Sequence, residues 1–387
     1  MIYDAIVVGS GPGGAVAAAT LAERGKSVLL IDRQAFPRDK VCGDGLPGNV
    51  SEMLDKDLGI DPKKAGLKHQ QIYGISMVAP SGKSLLVQGK PSQHYSMVSP
   101  RYHFDQMLHE HALKKGAKFE VMDIDAPLYS PDGSKVIGVV QRKGKELIEH
   151  ETRVVIAADG VSSSIARSLR GRVSDPVETA VAIRAYAKLK RPLSSDPTVY
   201  FKYLLQLTPG YAWIFPTAPN EVNVGLGLFD QEIYKKRGKN LKQLLNEFKD
   251  EMESEYPMEI DADTLKSWPI PVWMNRESRV VKGAYLVGDA GRFVDALTGG
   301  GIFPAMITGQ LAARSAIQIL DGGNEQAAAS AYDEGWRNGI GRSLNRLLMV
   351  QKWIGSKPPV FNAIFGVANA IPPIRSALLT GLAGQHS

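Results

Sequence analysis

The sequence predicts a mixed α/β fold, with a nucleotide-binding sheet of parallel strands, an inserted antiparallel sheet and a helical region at the C-terminus. Three observations predict this fold. The first 32 residues read as strand, glycine loop, helix and strand; two later apolar strands end in Asp-Gly or Gly-Asp; and an aromatic, strand-like stretch separates those two strands. The chain of 387 residues is long enough for two or three domains.

The N-terminal stretch reads IYDAIVVGSGPGGAVAAATLAERGKSVLLID. The apolar run at residues 5–8 suits a strand buried on both faces, and it leads directly into a glycine loop of the form GxGxxG. The Ala- and Leu-rich residues 15–24 predict a helix, and residues 28–31 predict a second buried strand that ends at Asp32. A GxGxxG pattern alone is common in tight turns, but these parts in this order predict a dinucleotide site.

The glycines of this loop have separate physical roles. Gly9 allows the tight turn, Gly11 lets a pyrophosphate approach the backbone, and Gly14 lets the helix pack closely on the strand. The N-terminus of the helix supplies free N–H groups and a partial positive charge. Asp32 follows at the spacing of a ribose-binding carboxylate. The pattern does not separate NAD from FAD.

The charge distribution argues against a nucleic-acid partner. The formal net charge is +6, and the Lys and Arg residues are spread along the chain rather than gathered in blocks. Cys42 is the single cysteine, which excludes an internal disulfide and a CxxC site and favours a reducing compartment. The seven histidines show no metal-ligand spacing, so we predict no metal site.

The apolar runs are too short to cross a membrane, because none reaches the ~20 residues that a spanning helix needs. The first run is also too short for a signal-peptide core, so we expect a cytoplasmic protein. Residues 358–382 are mostly apolar, carry Arg375 as their one full charge and are broken by two Pro-Pro pairs. We predict peripheral membrane contact through this region. The alternative is that it packs on the protein's own surface as a lid or a dimer contact.

The alternation of apolar and polar residues, helical periodicity and turn residues predict the remaining strands and helices. The predicted strands are 72–78, 84–87, an antiparallel meander of 117–121, 136–141 and 146–150, a buried strand at 154–158, strand-like residues at 178–228, and a last sheet strand at 283–287. The predicted helices start at 99–101 and span 241–252 and 302–320, with further helices to the C-terminus. Residues 36–47, dense in glycine and charge, are predicted to be irregular and functional.

Four segments in order resemble the FAD-binding framework of aromatic-hydroxylase-type flavoproteins: the GxGxxG unit, Arg101 in SPRYHFD, Asp159-Gly160, and Gly288-Asp289-Ala290 with its following glycine run. Two more segments narrow the resemblance. KVCGDGL at 40–46 is similar to the KxCGxGL segment of geranylgeranyl reductases, and PGYAWIFP at 209–216 is similar to their YxWxFP cavity motif. Ala296 is a departure, because many relatives carry proline there.

The resemblance implies a Rossmann-like FAD-binding domain, an inserted antiparallel-sheet substrate domain and a helical C-terminal part. The expected boundaries are 1–70, 99–176 and 277–322 for the discontinuous FAD-binding domain, 71–98 and 177–276 for the substrate domain, and 323–387 for the C-terminal region. Members of this family use reduced FAD to saturate isoprenoid double bonds. No second GxGxxG unit is present, so NAD(P)H or reduced ferredoxin is expected as an external reductant, from a separate electron-donor protein in the second case.

The resemblance also implies the site residues. Asp32 is expected to hold the adenosine ribose and Asp289 the ribityl chain, while backbone N–H groups at 300–302 are expected to face the pyrimidine edge. The full set of expected FAD contacts is Gly9, Gly11, Pro12, Gly13, Gly14, Asp32, Arg33, Lys40, Cys42, Gly43, Arg101, Asp159, Gly160, Gly288, Asp289, Gly300, Gly301 and Ile302. The expected catalytic residues are Cys42, Tyr211 and Trp213, and the expected substrate cavity is lined by Tyr211, Trp213 and Phe215.

Other interpretations stay open. Cys42 can be an inert packing residue, and aromatic residues at a period of two are ordinary sheet core. The same framework also supports monooxygenases and halogenases, although the WxWxIP pair of flavin halogenases is missing. A third class is a flavoprotein maturation factor that acts on a partner protein.

Overall fold

The computed structural model describes residues 2–88, 95–171, 179–193, 197–204, 207, 210–229, 238–273, 278–354 and 357–371. The chain forms two compact units. Unit 1 comprises Met1–Arg38, Asp105–Ser174 and Pro271–Leu347, and unit 2 comprises Asp39–Phe104, Asp175–Ile270 and Leu348–Ser387. The domain boundaries given above remain a prediction.

The strands are β1 (Tyr3–Val8), β2 (Val28–Asp32), β3 (Gly45–Leu46), β4 (Gln70–Gln71), β5 (Gly74–Val78), β6 (Ser84–Gln88), β7 (Met97–Val98), β8 (Lys118–Val121), β9 (Asp123–Tyr129), β10 (Val136–Lys143), β11 (Glu146–Ala157), β12 (Thr179–Leu189), β13 (Thr198–Lys202), β14 (Gly210–Ala218), β15 (Glu221–Leu228), β16 (Met258–Ile260), β17 (Lys266–Pro271), β18 (Val280–Val281) and β19 (Ala284–Leu286). The helices are α1 (Pro12–Glu23), α2 (Gly48–Lys56), α3 (Arg101–Lys114), α4 (Ser164–Arg170), α5 (Leu241–Met252), α6 (Ile302–Leu320), α7 (Glu325–Trp336), α8 (Arg342–Ile354) and α9 (Pro358–Ala370).

Unit 1 is built on a sheet with the strand order β18-β19-β11-β1-β2-β8. β1 pairs in parallel with β11 and β2, and β19 pairs in parallel with β11. The prediction that residues 154–158 and 283–287 join the N-terminal strand in one sheet is therefore confirmed. Because these strands are parallel neighbours, their carboxyl ends meet at one edge, where open α/β sheets bind their ligands.

The prediction of an antiparallel meander that begins at residues 117–121 was wrong. β8 instead pairs in parallel with β2, with Leu29 opposite Lys118. The meander consists of β9, β10 and a continuous β11, and β9 was missed. Pro127 explains the miss, because a proline inside a strand is tolerated only at an edge or a bulge, and β9 pairs with β10 alone.

Unit 1 packs α1 on α6 through glycines. A Cβ atom at Gly309 of α6 would lie 2.1 Å from the carbonyl oxygen of Gly13, so the two helices touch backbone to backbone. A Cβ atom at Gly14 would lie 1.8 Å from the carbonyl oxygen of Gly9, which leaves no room for a side chain. These contacts hold the start of α1 at the carboxyl end of β1.

Unit 2 is built on a second sheet with the strand order β16-β12-β15-β14-β13-β5-β6. Neighbours in this order pair antiparallel, except that β13 runs parallel to β5. α5 has the predicted bounds and begins with a capping box between Asn240 and Gln243. Its buried face, including Leu244 and Phe248, packs in the same core as Ile214 of β14. The opposite face of β14 packs in a separate cluster with Ile72 and Val98.

The C-terminal part is helical, as expected, although residues 372–387 lie outside the described residues. None of the helices in the described ranges is both long and apolar enough to cross a bilayer. Among the same residues, no group of three or more His, Cys, Asp or Glu side chains is arranged to hold a metal ion.

Candidate active site

The glycine loop of unit 1 presents an open helix N-terminus. Gly9 has a φ of +96°, and its N–H donates to the carbonyl of Ile31 at 2.6 Å. α1 starts at Pro12 with neither a side-chain cap nor an acidic residue in its first turn. Among the described residues, a Cβ atom at Gly11 would meet only the Arg38 guanidinium, at 3.7 Å. The loop therefore offers free N–H groups and space, which is what a pyrophosphate needs.

Asp32 lies buried at the end of β2 with its carboxylate fixed in place. Oδ2 accepts from the Ser10 backbone N–H at 3.0 Å and from Arg38 Nη2 at 3.1 Å, and Arg38 also pairs with Asp105. Arg38 and Asp105 were not found from the sequence. Their link joins the irregular segment after β2 to α3. Arg33, an expected contact, has an exposed side chain.

The Asp159-Gly160 segment lies against the glycine loop. A Cβ atom at Gly9 would fall 2.9 Å from the Asp159 Cα. Asp159 Oδ2 accepts from the N–H of Ser164, whereas its buried Oδ1 has no hydrogen-bond partner among the described residues. Burial raises the pKa of Asp159 to about 6. An orphaned buried acceptor at this edge of the sheet fits a bound group that donates a hydrogen bond.

The segment Gly288-Asp289-Ala290 brings Asp289 beside the start of α6. Asp289 sits in a short turn at the end of β19, and a Cβ atom at Gly301 would lie 3.5 Å from its Oδ1. Gly301 caps α6 without a side-chain cap or a first-turn acid, so the N–H groups there stay open. The Gly300 N–H is expected to face the pyrimidine edge of the flavin, and in the structure it donates to Thr298 Oγ1 at 3.2 Å.

The glycine loop, Asp159-Gly160 and Gly288-Asp289-Ala290 therefore converge within unit 1. A Cβ atom at Gly13 would be 2.7 Å from Val287 and 2.8 Å from the Ala305 carbonyl, so the start of α1 touches both the end of β19 and the start of α6. The open N-termini of α1 and α6, the fixed carboxylate of Asp32 and the orphaned Asp159 Oδ1 fit a long anionic dinucleotide.

In unit 2, the segment from Cys42 to Leu46, here called the Cys42 loop, is tied down through Asp44. This residue is fully buried and has a φ of +65°. Its carboxylate accepts from Tyr186 Oη at 2.7 Å, from Asn223 Nδ2 at 2.8 Å and from the Arg101 N–H at 3.2 Å. Burial raises the pKa of Asp44 to about 6. The loop continues into β3, where Leu46 pairs with Met97.

Cys42 is a partly buried free thiol. Desolvation raises the pKa of Cys42, and the nearby Arg101 guanidinium acts in the opposite direction. Its backbone carbonyl accepts from Asn223 Nδ2 at 2.8 Å. The thiol therefore holds its proton at neutral pH, next to a cation that can stabilise a thiolate.

An aromatic face covers the side of β14 opposite to α5. Tyr211, Trp213 and Phe215 alternate along the strand, and Trp213 and Phe215 belong to a separate apolar cluster from the α5 core. The Tyr211 ring lies 5.3 Å from that of Phe201. A Cβ atom at Gly225 would be 2.3 Å from Trp213 Cζ2, so the indole lies flat on a glycine of β15. Pro209 of the matching segment lies outside the described residues.

Two other expected residues lie in unit 2 as well. Arg101 is buried at the start of α3. Lys40 has its Nζ 4.0 Å from the ring centroid of Trp268. The site residues expected from the sequence did not include Asn223, Tyr186 and Arg184. Each of them interrupts or borders an apolar strand, which is a signal for a buried polar contact.

A family model described as "FAD binding domain" matches residues 2–337. The chain is 31% identical over 356 residues to a digeranylgeranylglycerophospholipid reductase of Methanosphaerula palustris, with 91% of this chain and 86% of the relative covered. The chain belongs to the geranylgeranyl reductase family of FAD-dependent oxidoreductases. A menaquinone reductase of Mycobacterium tuberculosis is 28% identical, with 97% and 91% of the two chains covered.

Solved structures show the same fold. A geranylgeranyl bacteriochlorophyll reductase-like protein from Thermoplasma acidophilum superposes with a TM-score of 0.83 at 23% identity and covers 94% of this chain and 91% of its own. A flavin-dependent brominase superposes with a TM-score of 0.80 at 22% identity, with 99% and 94% covered. Both confirm the aromatic-hydroxylase-type fold of this family member.

Proposed function

We propose that this enzyme saturates carbon–carbon double bonds in the isoprenoid chain of a lipid or of a prenylated quinone. The observation that carries the proposal is the aromatic face of β14, on which the Cys42 loop rests. Trp213 and Phe215, which are 7% and 8% exposed, form with the partly buried Tyr211 an aromatic cluster whose apolar character suits an unsaturated hydrocarbon chain. The names of the relatives, which act on geranylgeranyl lipids and on menaquinone, support the same substrate class.

When FAD is bound and has been reduced by the external donor, it would supply the hydride for one carbon of the double bond, and the other carbon needs a proton. The Cys42 Sγ holds a proton at neutral pH because desolvation raises the pKa of the thiol. Transfer of this proton to carbon breaks the S–H bond and leaves a thiolate, which the Arg101 guanidinium stabilises until water restores the proton. The aromatic face excludes water and holds the chain.

Anaerobic spectroscopy tests the proposal. The reduced flavoprotein should be reoxidised by a geranylgeranyl lipid in the absence of oxygen, with recovery of the oxidised flavin absorbance. The likeness to a brominase favours a monooxygenase or halogenase as the second candidate. That candidate requires oxygen uptake in step with turnover, and it is rejected if the anaerobic reaction proceeds at the full rate.

We expect Cys42→Ala to keep FAD bound and to lower turnover about 10²-fold, which is the lower bound for losing a general acid. The measurement is steady-state turnover together with the flavin content of the purified variant. Cys42→Ser is the matched control, because it keeps the size but holds its proton far more tightly, so it should also be slow. Wild-type turnover and product pattern in Cys42→Ala would show that the residue only packs.

We also propose that the C-terminal helices contact an anionic membrane surface, from which a polyprenyl substrate would enter. In α9, Phe365 is buried in a unit 2 cluster with Met77 and Leu85, whereas Val367 is 47% exposed. Trp353, at the end of α8, is 72% exposed. Exposed aromatic and aliphatic residues beside basic ones are typical of interfacial helices.

The replacements Trp353→Ser and Val367→Ser, made together, should reduce flotation of the protein with anionic liposomes while they spare the buried Phe365. Leu147, which is also exposed, provides a matched control as Leu147→Ser. A chain that ends at Lys357 is a second probe. Equal, negligible flotation of the intact chain and the variants, all folded and FAD-bound, would favour the lid or dimer role instead.

The external reductant is the remaining part of the proposal. We propose NAD(P)H or reduced ferredoxin, since a second dinucleotide fingerprint is lacking in the sequence. Rates of flavin reduction by NADH, NADPH and reduced ferredoxin, measured under argon, distinguish these donors.

A further inference from the structure

Asn223 is a fully buried amide in the apolar strand β15, between Val222 and Val224. Its Nδ2 donates to the Cys42 carbonyl at 2.8 Å and to Asp44 Oδ2 at 2.8 Å. Its Oδ1 accepts from Trp213 Nε1 at 2.9 Å. One side chain therefore connects the Cys42 loop to the aromatic face. The bonds to Asp44 and from Trp213 are buried, and an unmade bond there is costly.

The Cys42 loop also lies directly on the aromatic face. A Cβ atom at Gly43 would be 3.4 Å from Trp213 Nε1, and one at Gly45 would be 3.3 Å from Phe215 Cε2. The backbone of the loop therefore lies so near the aromatic face that even a Cβ atom at these two positions would be in contact with it. The glycines permit close approach, and Asn223 supplies the polar bonds that hold the loop there.

The loop needs such a restraint because its backbone is strained. Asp44 has a φ of +65°, a region that non-glycine residues visit rarely, so bonds around it must hold it there. Asn223 and Tyr186 both donate to its carboxylate. The guanidinium of Arg184, buried beneath, lies 4.6 Å from the centroid of the Tyr186 ring and pairs with Asp39.

We propose that Asn223 is a positioning residue that locks the Cys42 loop onto Trp213 and thereby fixes the place along a bound isoprenoid chain where the proton is delivered. The lock itself follows from the hydrogen bonds of unit 2. Its effect on the choice of double bond rests on the proposed function. Two separate readouts therefore test the two parts.

The first readout is the rate at which iodoacetamide alkylates Cys42, which needs no substrate. Cys42 is the single cysteine of the chain, so the label reports on one site. Asn223→Leu removes all three bonds, and Asn223→Asp keeps the size and the acceptor for Trp213 but replaces the two N–H donors by at most one O–H donor. Each should open the loop more often and raise the alkylation rate about tenfold, because Asn223→Leu loses all three bonds and Asn223→Asp loses at least one of the two that hold the loop.

Thr217→Val is the matched control. Thr217 Oγ1 donates to Glu221 Oε1 at 2.8 Å and likewise links β14 to β15, but this bond does not involve the Cys42 loop. The control should label at the wild-type rate. If Asn223→Leu fails to fold, the isosteric Asn223→Asp decides. Folded Asn223 variants that label no faster than Thr217→Val would overturn the lock.

The second readout is the distribution of reduced double bonds in the product, measured by mass spectrometric fragmentation. Asn223→Asp should lower kcat and spread reduction over other bonds, while Thr217→Val keeps the wild-type pattern. Faster labelling with an unchanged product pattern would reject the role in bond selection and leave the lock standing. If the unmutated enzyme reduces no isoprenoid, the proposed function fails, and the labelling result still decides the lock.

Discussion

Gly14→Ala is expected to destabilise unit 1 by more than ~3 kcal/mol, at the upper end of the cost of overpacking, and to yield protein without FAD. The physical reason is the new Cβ atom, which would lie 1.8 Å from the carbonyl oxygen of Gly9 and 3.2 Å from the Cβ of Ala158. The first of these atoms is backbone and cannot rotate away. The strand β1 and helix α1 must separate, and the glycine loop loses its shape. Denaturant unfolding and flavin content of the purified protein measure the effect.

Gly11→Ala distinguishes an effect on FAD binding from an effect on the stability of the fold. Gly11 has φ −72° and ψ −176°, an extended backbone that alanine adopts freely, and in the part of the chain that the structure describes its new Cβ would meet no atom closer than 3.7 Å. The apoprotein should therefore be as stable as wild type or ~0.4–1 kcal/mol more stable. Its FAD should be lost on gel filtration, because the methyl group occupies the approach of the pyrophosphate. Full FAD retention in Gly11→Ala would contradict the assigned phosphate site.

Gly225→Ala is the second substitution for which we expect a large effect. The new Cβ would lie 2.3 Å from Trp213 Cζ2 and 2.5 Å from the carbonyl oxygen of Ile183. The indole must leave the sheet, which breaks its bond to Asn223 and removes the flat aromatic face. We expect a loss of ~1–3 kcal/mol in the free energy of unfolding and a loss of isoprenoid turnover, with FAD still bound.

Gly227→Ala is the control on the same strand. Its Cβ would lie 3.7 Å from the nearest atom, the Cβ of Ala182, which is an ordinary contact. Stability by thermal unfolding, flavin content and turnover should therefore stay near wild type. Equal turnover of the two variants would show that the position of the Trp213 indole does not matter for the reaction.

The elements that the sequence predicted best are those set by local pattern. β1, α1 and β2 follow from apolar runs, glycines and helical periodicity within residues 2–32, and α5 follows from its amphipathic period. The partner of β8 could not be obtained in this way, because parallel pairing with β2 is a contact between distant segments. The strand β9 was hidden by Pro127, which is tolerated because β9 lies at an edge.

The residues of the candidate site show the same contrast between local sequence patterns and contacts between distant segments. Asp32, Asp159 and Asp289 were found because each follows a buried strand, which is a local signal. Asn223 was missed because the Cys42 carbonyl that it binds is 181 residues away in the sequence. Arg38 was missed for a similar reason, since its partner Asp105 is 67 residues away. Side-chain bonds between distant segments are specified by the fold rather than by spacing.

The mass of an isoprenoid lipid after anaerobic incubation with the dithionite-reduced flavoprotein tests most directly whether the enzyme saturates isoprenoid double bonds. We predict a gain of two hydrogen atoms for each saturated double bond in a geranylgeranyl lipid or a prenylated quinone, with no oxygen or halogen incorporated. The Cys42→Ala variant, loaded with FAD, serves as the slow control. An unchanged mass for both substrates with folded, FAD-bound wild-type protein would contradict the account.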